Sequence, residues 1–239
     1  CVPLQFDLAD NRAVVRLKVH RGARRVSLRL DRTKREIVAT APTQRRLAEA
    51  AAFARDRAAW ITERLAELPQ AEAVAPGMTI HLFGEPCSLE ASDKPARLHL
   101  ATGEIPMRIT ARGEGAVYAT AVVRIIRREA LRVFTERTAF YCEQLGAKLP
   151  SVTIMDARAR WGSCRPGLPG KPAAIRYSWR LALAPFEVAD YVAAHECAHL
   201  LELNHGPRFW GHVKTLVGDE RPHRAWLRAQ GARLHAFGR

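Results

Sequence analysis

The first forty residues alternate between apolar and polar side chains, as in AVVRLKVH and RRVSLRL. A period of two residues is typical of strands with one buried face, so this stretch predicts two or three antiparallel strands before Pro42. From Thr43 the apolar residues recur at helical spacing, in a stripe that ends at Pro69. The pattern therefore predicts a small sheet followed by one helix.

Short alternating segments return in residues 77–110, separated by Gly, Pro and Asp-Lys positions typical of turns. A helical pattern then runs over about residues 116–145, and Gly146 follows in the position that commonly ends a helix. We therefore expect two domains. One is a β-rich N-terminal subdomain with one helix, residues 1–115, and the other comprises residues 116–239.

In the second domain, two apolar segments follow the long helix. SVTIMDA and AIRYSWRLAL predict two strands that the loop GSCRPGLPGKP joins as a hairpin. Pro185 then opens a helix, with Glu187 in the first turn where a carboxylate suits the helix dipole. Two shorter helices, about residues 207–217 and 222–236, complete the pattern, and no internal repeat is visible.

The stretch HECAHLLELNH, residues 195–205, places charged and metal-binding side chains in an otherwise apolar helix. His195 and His199 lie about 40° apart on a helix, so their imidazoles can converge on one ion. With Glu196 they form HExxH, in which two neutral imidazoles hold Zn²⁺ and the glutamate polarises a bound water. The metal lowers the pKa of that water towards about 7, and the glutamate takes its proton as it attacks a carbonyl.

Catalytic zinc usually takes three protein ligands, and His205 is the best candidate for the third. A continuous helix would carry His205 away from His199, so the chain must turn first. Asn204 tolerates the left-handed conformation that ends helices, and Gly206-Pro207 cannot continue one. The spacing of the two histidines also equals that in HExxHxxGxxH.

Other residues of the same region remain candidates. Glu202 occupies the turn-forming Gly position of that longer motif and projects about 60° from His199, so its carboxylate is an alternative third ligand. If His205 is the third ligand instead, we expect the Glu202 carboxylate to accept a hydrogen bond from an imidazole N–H. His212 would need a longer excursion of the chain to reach the metal. Cys197 points away from the metal face and is expected in the core.

The charge balance adds a second class of partner. Lys and Arg number 38 against 24 Asp and Glu, which gives a net charge of +14. A basic excess of this size attracts polyanions, so nucleic acid is a candidate partner. The alternative is a compositional bias without a binding function, because Arg and Ala are both abundant.

Cysteine usage and hydropathy bear on location. The five cysteines are scattered and form no CxxC pair, so neither a disulfide framework nor a cysteine zinc site is expected. No run approaches the roughly 18 apolar residues of a membrane span. We expect a cytoplasmic protein with no membrane partner. The start at Cys1 without a Met indicates a trimmed beginning, with a lipid-modified Cys1 as the alternative.

Several segments together resemble the YgjP-like metallopeptidases, small zinc proteins related to the minigluzincin, WLM and SprT/Spartan groups. The N-terminal RRVSLRL and AAWITERL are similar to the sheet and helix of that family. One position departs from it, since Ser178 stands where the family tends to carry Asn. The remaining segments that carry the resemblance are RWGSC at 160–164, SWRLALAP at 178–185, YVAAHECAHLLELNHGPRFW at 191–210 and RAWLRAQG near the end.

The resemblance implies an α+β, zincin-like fold in which a small antiparallel sheet lies over the HExxH helix, with a β-rich N-terminal subdomain. It implies that Zn²⁺ is held by His195, His199 and His205, with Glu196 as the general base. These are the residues that the spacing indicates.

The resemblance also implies that the loop Trp161–Cys164 borders the active site, where Trp161, backbone donors or Ser163 position the substrate. From its chemistry alone, this loop is an ordinary turn with a buried Trp. Tyr191 lies one helical turn before His195, and we expect it in the core or as a partner of the imidazole. The oxyanion of the reaction needs a donor beyond zinc, and Tyr177, Tyr191 and Arg176 are unranked candidates.

The function we expect is zinc-dependent hydrolysis of peptide bonds in a protein or peptide substrate. Similarity to a Spartan segment and the net charge of +14 favour a narrower alternative, a DNA-associated protease of the Spartan/WLM type. The competing class is a non-catalytic protein with a structural zinc or a nucleic-acid-binding surface. A structural site would need a fourth protein ligand. Hydrolysis of a non-peptide amide or ester is a third possibility.

Overall fold

The chain divides into two compact units, Cys1–Gln70 and Ala71–Arg239. The structure is a computed structural model. It describes residues 5–8, 13–31, 36–68, 70, 72–157 and 159–238.

The alternating residues of the first unit form a sheet of four strands. These are β1 (Gln5–Leu8), β2 (Ala13–Val19), β3 (Ser27–Asp31) and β4 (Glu36–Ala41). Their order is β1-β2-β4-β3, with β2 and β4 parallel and the other pairs antiparallel. The expectation of two or three antiparallel strands is therefore wrong in number and in the direction of the central pair.

The helical stripe of the first unit forms two helices rather than one. After a 3-10 turn at Gln44–Arg46 come α1 (Leu47–Asp56) and α2 (Ala58–Ala66), with a break at Arg57. The helices cover one face of the sheet and bury its alternate side chains. The buried core of this unit comprises Ala13, Val15, Ile37, Ala39, Ala41, Leu47, Ala50, Ala54 and Ile61.

A second four-stranded sheet opens the second unit. Its strands are β5 (Thr79–Leu82), β6 (Glu85–Ala91), β7 (Arg97–His99) and β8 (Met107–Ala111). Their order is β5-β6-β8-β7 with a parallel central pair, which repeats the topology of the first sheet. The structure thus contains a repeated arrangement of strands that no similarity in the sequence indicates.

The long predicted helix is confirmed as α3 (Gly115–Leu145), and Gly146 ends it with a φ of 62°. Glycine suits this left-handed position because it has no Cβ to clash there. The second sheet and α3 share one apolar core, so the boundary expected between residues 115 and 116 lies inside the second unit. That shared core includes Ile80, Leu82, Leu89, Ile109, Tyr118, Val122 and Ile126.

A third sheet follows α3. Its strands are β9 (Ser151–Met155), β10 (Gly162–Arg165) and β11 (Ala174–Ser178), in the order β10-β11-β9. The hairpin partner of β11 is β10, whereas β9 runs parallel to β11. The predicted hairpin between the first and last of these segments is therefore wrong. The sheet is mixed rather than antiparallel, because RWGSC supplies a strand of its own.

The remaining chain is helical. A 3-10 helix at Trp179–Leu183 precedes α4 (Phe186–Ala198), which is followed by α5 (Pro207–Val217) and α6 (Arg221–Ala236). The expected α+β class is confirmed. In the residues that the structure describes, none of the helices has the length and apolar character needed to cross a bilayer.

A half-buried carboxylate, that of Asp190, ties α4 to α3. Asp190 accepts a bond of 2.6 Å from Arg137 Nε to its Oδ1, and one of 2.8 Å from the Tyr141 hydroxyl to its Oδ2. The side chains of Arg137 and Asp190 are 24% and 16% exposed, so water screens this pair less than it would on an open surface. The contact fixes the helix that carries HExxH against the core.

We expect Asp190→Ala to lower the free energy of unfolding by about 2–4 kcal/mol, because it leaves the guanidinium and the phenol without their acceptor. Urea unfolding followed by circular dichroism measures this as a lower midpoint at constant slope. Asp219→Ala is the matched control, since it removes an exposed carboxylate paired with Arg221. Equal midpoints for the two variants would contradict the role assigned to Asp190.

Candidate metal centre

Three histidine rings meet where α4 ends and the chain turns towards α5. The ligand atoms of His195, His199 and His205 all lie within 4.8 Å of one another. The Nε2 atoms of His195 and His205 are 3.1 Å apart. Two nitrogens bound to one tetrahedral zinc at about 2.05 Å would be about 3.3 Å apart. The structure thus brings together the three side chains that the sequence predicted as ligands.

The backbone turn that brings His205 towards His195 and His199 begins earlier in the chain than expected. Helix α4 ends at Ala198, and His199 is its C-cap residue. The helix tightens there, since the Leu200 N–H donates to the Cys197 carbonyl at 2.9 Å. Asn204 does not adopt the left-handed conformation that it tolerates, because Phe83 is the only non-glycine residue with positive φ in the described part of the chain.

Neighbouring groups occupy one nitrogen of each helix histidine. His199 Nδ1 donates to the Glu202 carbonyl at 3.0 Å, which leaves Nε2 with its lone pair. His195 Nδ1 lies 3.4 Å from the Tyr191 hydroxyl. A metal-binding histidine is usually oriented in this way by a partner on its other nitrogen. Both helix histidines can therefore present Nε2 to one metal ion.

Phe209 of α5 supports all three rings from one side. Its ring centroid lies 4.9, 4.5 and 4.6 Å from those of His195, His199 and His205, and its side chain is fully buried. Trp210 lies further out, 6.0 Å from the ring of His195. These aromatic contacts restrict the rotamers of the three imidazoles.

The same burial sets the protonation of the rings. Burial first, and then the charges of the neighbouring His199, His205 and Arg224, lower the pKa of His195 to about 3. Burial also lowers the pKa of His199, although its bond to the Glu202 carbonyl opposes the shift. Both rings are neutral at pH 7, which is the form that binds a metal ion.

Glu196 lies beside the histidines and is only 5% exposed. Burial raises the pKa of its carboxyl to about 7, and the positive charge of Arg160 partly opposes the shift. The side chain lies against Gly162 of β10, where an added Cβ would be 2.6 Å from Glu196 Cγ and Cδ. The glycine of RWGSC is thus required by the close approach of the carboxylate to the strand. Sequence reasoning did not identify this contact.

The alternative third ligand, Glu202, turns its side chain elsewhere. Its carboxylate lies 3.8 Å from Arg208, and its carbonyl, rather than its side chain, contacts His199. The histidines at 195, 199 and 205 are the only group of three potential ligand side chains within the described ranges, so neither Glu202 nor His212 joins them.

The segment expected as a loop beside the site is strand β10. Trp161, just before it, is half-buried and stacks on His235 with ring centroids 4.7 Å apart. Ser163 pairs with Arg176 across the strands and is half-buried. Within this segment, the structure places Gly162 against Glu196.

Of the oxyanion candidates, Tyr177 is fully buried in the core. Its hydroxyl lies 2.9 Å from that of Thr138, and its ring stacks on Phe134 at 4.3 Å. Arg176 is exposed on β11. Tyr191 is buried beside His195, and burial raises the pKa of its hydroxyl to about 12. Tyr191 is thus the candidate that contacts the histidine cluster directly.

Arg224 is a further residue near the cluster that sequence reasoning missed. Its guanidinium carbon lies 4.9 Å from the centroid of the Trp210 ring, and its charge lowers the pKa of His195. It is the first residue of the segment RAWLRAQG, but no spacing in that segment indicates a role at the site, because α6 reaches the site only through the tertiary fold.

Comparison with known proteins supports the pattern of residues. A protein-family model described as YgjP-like, metallopeptidase domain, matches residues 24–230. No curated protein and no solved structure gives a significant match. The matched range includes β10, α4, the turn after it and the second unit as far as residue 230, and in the first unit it begins after β2. The chain belongs to the YgjP-like metallopeptidase domain family.

Proposed function

We propose that this protein is a zinc-dependent metallopeptidase in which His195, His199 and His205 hold the metal and Glu196 is the general base. The observation that carries the proposal is the convergence of three imidazoles beside a buried carboxylate. Membership of a metallopeptidase family supports peptide-bond hydrolysis as the reaction class.

The donor set fits a catalytic zinc. Three histidine nitrogens suit Zn²⁺, and no fourth Asp, Glu, Cys or His joins the group among the described residues. A structural zinc normally has four protein ligands, whereas a catalytic zinc keeps one position open. When bound, zinc supplies Lewis acidity that lowers the pKa of a coordinated water and polarises a carbonyl. The donor count therefore favours an enzyme over a non-catalytic zinc protein.

Glu196 is suited to move the proton of the reaction. A pKa of about 7 lies near neutral pH, where a base can accept a proton from water and release it again. As the water oxygen bonds to the carbonyl carbon, a carboxylate oxygen of Glu196 accepts the proton. The same oxygen then donates it to the amide nitrogen as the C–N bond breaks, so the base returns to its starting form.

Strand β10 offers an edge for an extended peptide. The Ser178 N–H donates to the Trp161 carbonyl, so pairing in this hairpin directs the N–H and C=O groups of Gly162 and Cys164 away from β11. No described strand pairs with this outer edge. A substrate strand that hydrogen-bonds there would pass beside Glu196, which contacts Gly162. This arrangement supports a peptide rather than a small amide as the substrate.

We expect Glu196→Gln to bind zinc with unchanged stoichiometry and to lower kcat for peptide cleavage by about 10²–10⁴-fold, because glutamine cannot accept the proton. Metal analysis of the purified variant and a fluorogenic peptide assay measure the two properties. Glu202→Gln is the matched control and should keep kcat within a few-fold of the parent. Equal peptide cleavage by Glu196→Gln and the parent would contradict the proposed role of Glu196.

We expect His205→Ala to weaken zinc binding by more than the about 10–100-fold typical of losing a residue that only orients a ligand. Competition with a chromogenic chelator measures the affinity of each variant. His212→Ala removes a histidine outside the cluster and should leave the affinity unchanged. If the two variants bound zinc equally well, His205 would not be a ligand.

We expect Gly162→Ala to lower kcat at least about tenfold with little loss of zinc, because its Cβ would displace the Glu196 side chain. Gly211→Ala is the control, since a Cβ added at Gly211 meets nothing within 4 Å. Peptide assays and metal analysis on both variants separate displacement of the base from loss of the site. Unchanged kcat in Gly162→Ala would show that the contact with Glu196 has no catalytic importance.

A further inference from the structure

The outer face of the first sheet carries cations on its two flanking strands. Arg16 of β2 and Arg29 of β3 both lie opposite Val38 of the central strand β4, so they share one face. Lys18 follows Arg16 by two residues and lies on that same face. The opposite face packs on the apolar residues of α1 and α2. The cations are therefore on the side of the sheet that faces solvent.

The loop between β2 and β3 adds further cations at one end of the sheet. The N–H of His20 donates to the carbonyl of Ala41, the last residue of β4, so the loop starts at that end. Arg21, Arg24 and Arg25 in this loop are all exposed. The loop cations are therefore continuous with Lys18, which lies near the end of β2.

Most of these charges have no acidic partner. Arg16 forms an ion pair of 2.9 Å with Glu36. No ion pair involves the other cations within the described residues. We define the basic face as these unpaired cations: Lys18, Arg21, Arg24, Arg25 and Arg29. An unpaired cluster of one sign raises the local concentration of polyanions more than its members would singly.

We propose that the basic face binds the phosphate backbone of duplex DNA. Lys18 lies on β2 and Arg29 on β3, and β4 runs between these two strands. The axes of β2 and β3 are therefore about 10 Å apart. Their long side chains can then reach phosphates on both sides of a B-DNA major groove about 12 Å wide. The contacts are made to phosphates and are independent of base sequence. This binding is separate from the proposed peptidase activity and does not depend on it.

The composition of the face argues against other polyanions. Interfacial binding to a membrane needs exposed apolar residues beside the charges. None of the large exposed hydrophobic residues in the described chain belongs to the first unit. Single-stranded nucleic acid is usually held by aromatic side chains that stack on bases, whereas β2, β3 and the loop between them contain no Phe, Tyr or Trp. The observations therefore favour a duplex over a bilayer or a single strand.

The test measures binding of the full chain to a fluorescent DNA duplex across salt concentrations. Each phosphate contact contributes about −0.9 to the slope of log K against log salt, so five contacts give about −4.5. The double variant Lys18→Gln/Arg29→Gln should reduce this slope by about 2 and weaken binding about 60-fold at 0.1 M salt. Both substitutions are at exposed positions, and circular dichroism checks that the fold is kept.

Arg124→Gln/Arg128→Gln is the matched control, since it removes the same charge from two exposed positions of α3. The proposal is supported if this control keeps the parent slope. Equal losses in both variants, or no binding by the parent, would overturn it. Tighter binding to anionic vesicles, single strands or duplex RNA would also overturn it. Peptide assays on both double variants should show parent activity, so the outcome is distinct from failure of the metallopeptidase proposal.

Discussion

The candidate site depends on the point at which α4 stops. If the helix continued past His199, His205 would project away from the other two rings, and no metal could be shared. Ending at Ala198 allows the turn to bring the third imidazole back, with the Nε2 atoms of His195 and His205 3.1 Å apart. Phe209 then packs against all three rings. Helix termination thus controls both the ligand geometry and the aromatic support beneath it.

A second constraint joins the helix to the third sheet. Glu196 can be buried beside the histidines only because Gly162 has no side chain to occupy that space. The same glycine belongs to an edge strand whose outer hydrogen-bonding groups have no partner strand within the described chain. Because Gly162 has no Cβ, the proposed base Glu196 lies next to the edge of β10 at which we propose that the substrate binds. This explains why RWGSC is a strand of the site rather than a connecting loop.

Features that depend on local sequence were predictable, and those that depend on distant pairing were not. The spacing of His195 and His199 and the glycine at 146 follow from helix geometry, so the pattern alone located them. The parallel pairing of β9 with β11 joins segments separated by a whole strand, and no local period encodes it. The contact of Gly162 with Glu196 and the position of Arg224 also require the tertiary fold.

The electrostatics of the site connect metal binding to the strength of the base. Glu196 is the one carboxylate among the buried polar residues described, and burial raises its pKa to about 7 against the opposing charge of Arg160. A divalent cation held by the three histidines would favour the charged form and offset that effect of burial. Arg160 acts in the same direction from outside the histidine cluster. The basicity of Glu196 is therefore a balance between a dry environment and nearby positive charge, and substitutions that admit water change it even when every proposed ligand remains.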